Sequence, residues 1–148
     1  MHKSLSNARA RQALLDRLDR LTPDTVPRWG SMTAPQMLAH LGDWMLMASG
    51  DLRTAPIKRF LRYPPFKQLA IYWLPFPKGV STAPELKGRL PSPWHVEREA
   101  VRQRVESFET LSLRASWPEH PVFGNMTSRA WGVFAWRHMD HHLRQFGV

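Results

Sequence analysis

The sequence predicts an all-α fold, a bundle of four amphipathic helices around one core. Apolar residues recur at helical spacing in four separate segments, few segments alternate in the manner of a strand, and the chain has neither an internal repeat nor a low-complexity tract. At 148 residues, with 43% apolar residues and seven Trp, the chain can bury one substantial core. We therefore expect a single domain that spans residues 1–148.

The first two helices are expected from leucine spacing and from capping residues. Leucines at three- and four-residue intervals predict a first helix within residues 4–21, which must end before Pro23. Thr33 followed three residues later by Gln36 forms a capping box, and this predicts the start of the second helix. Gly50 offers a left-handed exit, so the second helix should end just before it.

A long connection between the second and third helices is predicted for residues 56–93. It holds eight of the thirteen prolines, which no continuous helix would tolerate. We expect an ordered segment with one short helix near Phe66 to Trp73, because its aromatic residues should be covered rather than left in water. These aromatic residues are Tyr63, Phe66, Tyr72, Trp73 and Phe76.

The last two helices are expected on either side of a turn-rich connector at residues 117–125. Ser92 and Pro93 have the pattern of a cap and a first-turn proline, and they predict a third helix that extends to about residue 112. Either Asn125 or Thr127 should cap the last helix, which reaches residue 146. Four helices of this kind are typical of a bundle.

Composition excludes several kinds of site. Cysteine is absent, so disulfides, thiolate metal sites and a cysteine nucleophile are excluded, and a metal would need His and carboxylate ligands. The longest apolar run, residues 69–76, is far shorter than the roughly 18 residues that a membrane helix needs. Because no apolar leader with a cleavage site is recognisable either, we expect a cytoplasmic protein without a membrane partner.

The net charge of +9 raises the alternative of nucleic-acid binding. Basic residues are spread over every segment, however, and do not form one cluster with interleaved exposed aromatic residues. The pattern favours the solvated faces of amphipathic helices. Nucleic-acid binding is therefore kept as a weaker alternative.

Three of the seven histidines lie within five residues near the end of the last helix. His138 and His142 are one turn apart and point almost the same way, on the line that also holds Trp131 and, one turn later, Gln145. His141 points to one side of this line. A pair of this spacing can bind one ion, but by itself it is a weak signal and is more typical of a polar helix end.

A fourth histidine, in the second helix, favours a metal site over a polar helix end. His40 lies at the centre of the apolar face of the second helix, flanked by Met37, Trp44 and Met47. A buried neutral imidazole needs partners for both nitrogens, and a metal with a hydrogen-bond acceptor supplies them, although a backbone group of a neighbouring helix would also serve. Three inward histidines from two helices would leave a coordination position open, which is typical of catalytic metal sites.

Other polar residues are candidates for supporting roles around these ligands. Asp43, one turn after His40, could orient an imidazole or act as a general base, and His141 and Gln145 could hydrogen-bond to a ligand. Solvated helix positions are the alternative for Asp43 and His141. His95 and His120 lie in or near turns and are interpreted as structural.

Two stretches of sequence carry a resemblance to a known family. The stretch WGSMTAPQMLAHLGDW from Trp29 to Trp44, with HPVFGNMTSRAWGVFAWRHMDHHLRQFG from His120 to Gly147, resembles the DinB-like (YfiT-like) superfamily, in an uncharacterised branch. The resemblance implies a four-helix bundle of up-down-down-up topology with a long second connection. It also implies a divalent ion held by His40, His138 and His142, kinship with thiol-dependent transferases and isomerases, and a homodimer.

The leading hypothesis is a metal-dependent enzyme. An ion on three histidines would activate water or an external low-molecular-weight thiol, as in a hydrolase or a thiol transferase acting on a small-molecule substrate. Zinc or nickel is expected first, and iron or copper is also compatible with imidazole ligands. The alternatives are a non-catalytic helical bundle that acts through protein contacts and the basic nucleic-acid-binding protein described above.

Overall fold

The structure is a computed structural model, and it describes residues 2–57, 60–78, 84–86 and 89–148. Within these ranges the chain is all-helical and has no strand, as predicted. Short 3₁₀ helices lie at Phe60–Arg62 and Pro84–Leu86. The five α-helices are α1 (Ala8–Leu18), α2 (Ala34–Ser49), α3 (Phe66–Tyr72), α4 (Trp94–Leu111) and α5 (Ser128–Gln145).

Helix α1 is shorter than its leucine spacing predicts. Asn7 caps it, because its side-chain oxygen accepts a hydrogen bond from the Ala10 N–H at 2.9 Å. The chain before Asn7 instead packs on α5, where the Leu5 N–H donates to the Gly132 carbonyl at 3.0 Å. Leu21 is still buried, although α1 ends at Leu18. Apolar spacing therefore predicted the packed residues better than it predicted the bounds of the helix.

Helix α2 begins and ends as predicted. The Thr33 hydroxyl accepts a hydrogen bond from the Gln36 N–H at 3.3 Å, and the Gln36 side-chain oxygen accepts one from the Thr33 N–H at 2.8 Å. Gly50 follows with a φ of 91°, a left-handed conformation that favours glycine. These two ends fix the sixteen residues that present His40 to the core.

The starts of α4 and α5 differ in how well the sequence predicted them. Ser92 does not cap α4: the cap position falls on Pro93, which has no side-chain hydrogen bond to give. The Glu97 carboxylate turns back and accepts a hydrogen bond from the Ser92 N–H at 2.7 Å, which ties the residue before the cap position to the first turns of α4. Of the two candidates for α5, Thr127 is the cap, and its hydroxyl accepts from the Ala130 N–H at 3.1 Å.

The long helices pack pairwise around one hydrophobic cluster. Helix α2 packs against α4 and α5, and α1 packs against the same two helices. The inward faces meet in a core of fully buried side chains that includes Leu14, Leu38, Val105, Phe108 and Trp131. Because α2 and α5 are neighbours, the face that carries His40 lies against the face that carries His138 and His142.

The short helix predicted in the connection is present as α3, which packs on α5. The Arg137 guanidinium of α5 donates hydrogen bonds to the carbonyls of Ala70, at 3.0 Å, and of Ile71 and Leu74. This guanidinium therefore satisfies carbonyls at the end of α3 that have no partner within the helix. Residues 58–59, 79–83 and 87–88 of the predicted connection lie outside the described residues.

The prediction that the aromatic residues of the connection are covered is only half right. Tyr72 and Phe76 are half-buried, but Tyr63, Phe66 and Trp73 are exposed. A helix of seven residues has one side to place against α5, and Ile71 fills that side. In the described parts of the chain, no helix has both the length and the hydropathy needed to cross a membrane.

Candidate metal centre

Three buried imidazoles from two helices converge on one point. His40 comes from α2, and His138 and His142 come from α5. The His138 Nε2 atom lies 3.2 Å from His40 Nε2 and 3.1 Å from His142 Nε2. One ring nitrogen from each of the three residues lies within 4.8 Å of the others. The structure thus brings together all three histidines that the sequence predicts as ligands.

Gln145 sets the orientation and the tautomer of the His142 ring. Its amide nitrogen donates to the Trp29 carbonyl at 2.8 Å, which turns the amide oxygen towards His142 Nδ1, also at 2.8 Å. A carboxamide oxygen only accepts, so Nδ1 of His142 carries the proton and Nε2 keeps a lone pair. The lone pair points into the cluster, as a ligand to a metal requires.

His40 has a comparable partner on the other side of its ring. The Leu86 backbone carbonyl accepts a hydrogen bond from His40, and since Nε2 faces His138, the nitrogen left for this bond is Nδ1. Nδ1 of His138 is buried and has no partner among the described residues. Two of the three rings are therefore held with Nε2 towards the common point by partners on the far side of the ring.

All three imidazoles are neutral at physiological pH, chiefly because they are buried. Burial lowers the pKa of His142 to about 3, and it lowers the pKa of His40 although the Leu86 carbonyl and Asp43 oppose it. Burial, reinforced by the two neighbouring imidazoles, also holds the pKa of His138 well below its usual range. A metal would therefore meet little competition from protons.

The spacing of the nitrogens suits a single ion. Two ligand nitrogens on a tetrahedral zinc ion, each at roughly 2.0 to 2.1 Å from it, lie about 3.3 Å apart. The two measured separations, 3.2 and 3.1 Å, are close to that value. Neutral nitrogens with lone pairs directed at each other repel, so the arrangement is favourable only when a cation or a proton lies between them.

A cavity of about 660 Å³ opens onto the three histidines. Its walls are mainly aromatic and apolar, and Phe76 from the connection stacks on His138 with ring centroids 5.9 Å apart. A volume of this size is typical of a small-molecule site. The apolar wall includes Trp29, Trp44, Met47, Phe76, Val122 and Phe134.

Asp43 and His141 line this cavity but do not hydrogen-bond to the three histidines. Both oxygens of Asp43 accept from Arg89 Nε at 2.9 Å, and the negative charge of Asp43 only raises the pKa of His40 slightly against the effect of burial. His141 is half-buried, with its ring centroid 5.2 Å from that of His142 and 5.9 Å from that of Trp29. Of the three predicted supporting residues, Gln145 alone bonds to one of the histidines.

An ion-pair network at the rim of the cavity was not predicted from the sequence. Arg89 donates to the buried Glu97 carboxylate at 2.5 and 2.8 Å, and to Asp43, so it joins the connection to α2 and α4. The guanidinium of Arg89 lowers the pKa of Glu97. A buried glutamate among apolar positions of α4 is a signal for such a partner, but nothing in the periodicity of the helix identifies Arg89.

The remaining histidines take different positions. His95 is exposed in the first turn of α4. His120 belongs to the turn before α5, as predicted, but it is also buried and lines the cavity, which was not predicted. The motif HPVFG was the available signal, since it places Phe123, one of the aromatic residues that surround the His120 ring, three positions after the histidine.

These features define a class of protein: a helical bundle with three buried histidines that line a cavity and could hold a metal ion. The chain belongs to the family described as "Protein of unknown function (DUF1569)", whose sequence model matches residues 4–147. No curated protein and no solved structure matches the chain. The resemblance to the DinB-like superfamily stays a prediction.

Proposed function

We propose that this protein is a metal-dependent enzyme whose divalent ion binds to His40, His138 and His142. The observation that carries the proposal is the convergence of three neutral Nε2 atoms, with separations of 3.1 and 3.2 Å from His138, at a cavity of about 660 Å³. A structural zinc site has four protein ligands and is closed. Three ligands beside a cavity leave a position for a substrate or water.

The charge of the site supports a reaction with an anionic nucleophile. The three imidazoles bring no negative charge, and the nearest carboxylate, Asp43, is paired with Arg89. A bound divalent ion supplies a Lewis acid that lowers the pKa of water or of a thiol, which makes a nucleophile available at neutral pH. His40 and His142 stay oriented through Leu86 and Gln145 while substrate enters.

The nucleophile is either water or an external thiol. Because the chain has no cysteine, a thiol must arrive as a small-molecule cosubstrate. The DinB-like resemblance of residues 29–44 and 120–147 supports the thiol and the up-down-down-up bundle, and the apolar cavity walls suit a substrate with a hydrophobic body. Zinc or nickel is the expected ion, with iron or copper as alternatives, because imidazole suits all four.

Elemental analysis of protein purified without an affinity tag tests the first half of the proposal. We expect about one zinc or nickel ion per chain in the parent and close to none in His142→Ala. Turnover tests the second half: the loaded parent is assayed with hydrolase substrates and with a low-molecular-weight thiol plus an electrophile, before and after chelation. An ion without any turnover would favour a non-catalytic bundle, and absence of an ion from the parent would contradict the proposal.

A further inference from the structure

His120 is held by the turn that precedes α5. Its backbone N–H and carbonyl bond to the Gly124 carbonyl and N–H at 2.9 and 2.8 Å. Its ring nitrogen Nδ1 accepts hydrogen bonds from the Val122 N–H at 3.1 Å and the Phe123 N–H at 3.3 Å. A nitrogen that accepts from two N–H groups carries no proton, so a neutral His120 must carry its proton on Nε2.

The ring of His120 is neutral over the whole physiological range. Burial, with a smaller effect of the Lys67 charge, lowers its pKa to about 3. The ring is surrounded by Trp131, Phe134 and Phe123, with centroid distances of 5.4, 5.4 and 4.8 Å. His120 therefore offers one N–H donor of fixed direction and does not act as a cation.

That donor has no partner within the described part of the chain. The hydrogen bonds of the His120 ring to described residues are both made by Nδ1. His120 is only 5% exposed and lines the cavity, so the cavity is where an acceptor for Nε2–H can be held. An N–H group in an apolar wall is stable only when an acceptor reaches it.

The cavity connects this donor to the three histidines. The Trp44 ring packs between them, with its centroid 4.9 Å from that of His138 and 6.5 Å from that of His120. A molecule that lies along Trp44 can therefore reach both His120 and the proposed ion. The rest of the wall near His120 is apolar, and Phe134 and Val122 are part of it.

We propose that His120 Nε2–H binds a carbonyl or carboxylate oxygen of a small molecule with a hydrophobic body, and so orients it towards the three histidines. An sp² oxygen is the matching acceptor for a single neutral N–H donor. The orienting role rests on the proposed function, but the binding of the oxygen does not need the metal. His120 is thus a substrate-binding residue of the cavity as well as part of a turn.

The variant His120→Asn separates these two roles. The asparagine Oδ1 occupies the same position along the side chain as Nδ1 of histidine, so it can still accept from the Val122 and Phe123 N–H groups, as in an Asx turn. No asparagine atom reaches as far as Nε2. The variant should therefore keep the turn and the fold and lose the donor.

Nitrogen NMR of the chelated, metal-free protein tests the tautomer. We expect long-range ¹H–¹⁵N correlations of His120 to report a protonated Nε2 and an unprotonated Nδ1.

Benzoate and benzamide are then titrated as probes of a carboxylate and of a neutral carbonyl. The His120 Nε2–H resonance should move on binding, and His120→Asn should bind the preferred probe about tenfold more weakly, the effect of one hydrogen bond. The exposed control His95→Asn should bind like the parent.

A proton on Nδ1 would overturn this inference, and so would equal probe binding by the parent and His120→Asn, or binding of neither probe to the parent. Metal content distinguishes this failure from that of the proposed function. His120→Asn should keep the metal content of the parent, since the hydrogen bonds of His120 within the described residues go to Val122 and Phe123 and not to the ligand nitrogens. If the parent contains no metal as purified and cannot be loaded with one, but still binds the probe through His120, the proposed function is contradicted and this inference stands.

Discussion

Aromatic side chains are covered around the three histidines, whereas most of those on the connection are exposed. Trp44 and Trp131 are 4% and 0% exposed, whereas Tyr63 and Trp73 are 67% and 70% exposed. The covered rings belong to α2 and α5, helices of sixteen and eighteen residues that pack against several neighbours. The exposed rings of Tyr63 and Trp73 lie before and after α3, a helix of seven residues that packs against fewer neighbours. Helix length and the number of packing neighbours therefore decide burial more than composition does.

The difference predicts where a substitution matters. The three histidines are buried between α2 and α5, and Gln145 bonds to the ring of His142, so a change there alters the geometry of the proposed ligands. On the connection, residues act on the site only where they reach it, as Leu86 and Arg89 do. We order the following predictions from the largest expected effect at the site to the smallest on the exposed surface.

The largest effect is expected from the ligands themselves. Replacing His40, His138 or His142 by Ala should weaken metal binding by more than about 100-fold, beyond the loss typical of residues that only support a ligand. Replacing His141 by Ala should change it much less, because this ring makes no hydrogen bond to the other three in the described structure. Isothermal titration of the metal-free proteins with zinc measures both.

Chelation provides an independent measurement of the same prediction. Metal bound across α2 and α5 stabilises the folded state by mass action, so a chelator should lower the melting temperature of the loaded parent and of His141→Ala. It should hardly change that of His40→Ala. Equal losses of affinity in His141→Ala and His142→Ala would show that the last turns of α5 are only a polar helix end.

A smaller effect is expected from the residue that orients His142. Gln145→Ala removes the acceptor of the Nδ1 proton and should reduce metal affinity by about 10- to 100-fold. Gln145→Glu keeps an acceptor there, so it should recover most of the affinity, although it loses the hydrogen bond to the Trp29 carbonyl and should melt at a lower temperature. Similar affinities of the Ala variant and the parent would rule out this orienting role.

The sequence predicted the part of the molecule in which spacing determines geometry. His138 and His142 are four positions apart, and this places them on one face of any helix. The apolar neighbours of His40 indicate that it points inward. The roles of Leu86, Arg89 and His120 at the site could not be predicted from the sequence. These residues lie in turns and in the connection, where no helical period relates a position in the sequence to the direction of its side chain. Gln145 could be predicted as a supporting residue because it lies on α5, about one turn after His142 and on the same side of the helix.

The rim network makes a contribution to stability that depends on pH. Hydrogen bonds from Arg89, the largest effect, lower the pKa of Glu97 below its usual value. The ionised Glu97 therefore stabilises the fold above the ordinary pKa of glutamate, and this stabilisation is lost as the pH falls through the lowered value. Glu97→Gln should lower the free energy of unfolding at neutral pH by about 1 to 3 kcal/mol and lose less stability on acidification than the parent.

Urea unfolding at neutral and at acid pH checks this prediction. Glu99→Gln is the matched control on the same helix, since Glu99 is exposed and bonds only to its neighbour Gln103 in the described structure. It should follow the parent at both pH values. If Glu97→Gln and the parent lost equal stability on acidification, the network would be no more than a surface ion pair.

The smallest effect on the fold is expected at the exposed surface formed by Phe60, Tyr63, Phe66 and Trp73. All four side chains are exposed, and the rings of Phe60 and Phe66 contact each other, with centroids 5.3 Å apart. Exposed apolar groups of this kind are typical of contact surfaces, and we predict that two copies of the chain associate there as a homodimer. Trp73→Arg should shift the sedimenting mass from about twice 17.2 kDa to that of one chain, because a buried guanidinium without a partner opposes association. It should leave stability within about 0.5 kcal/mol and metal content unchanged, since the side chain is 70% exposed. Leu113→Arg, at an 82% exposed residue outside this surface, should remain a dimer, and a monomeric parent at micromolar concentration would contradict the prediction.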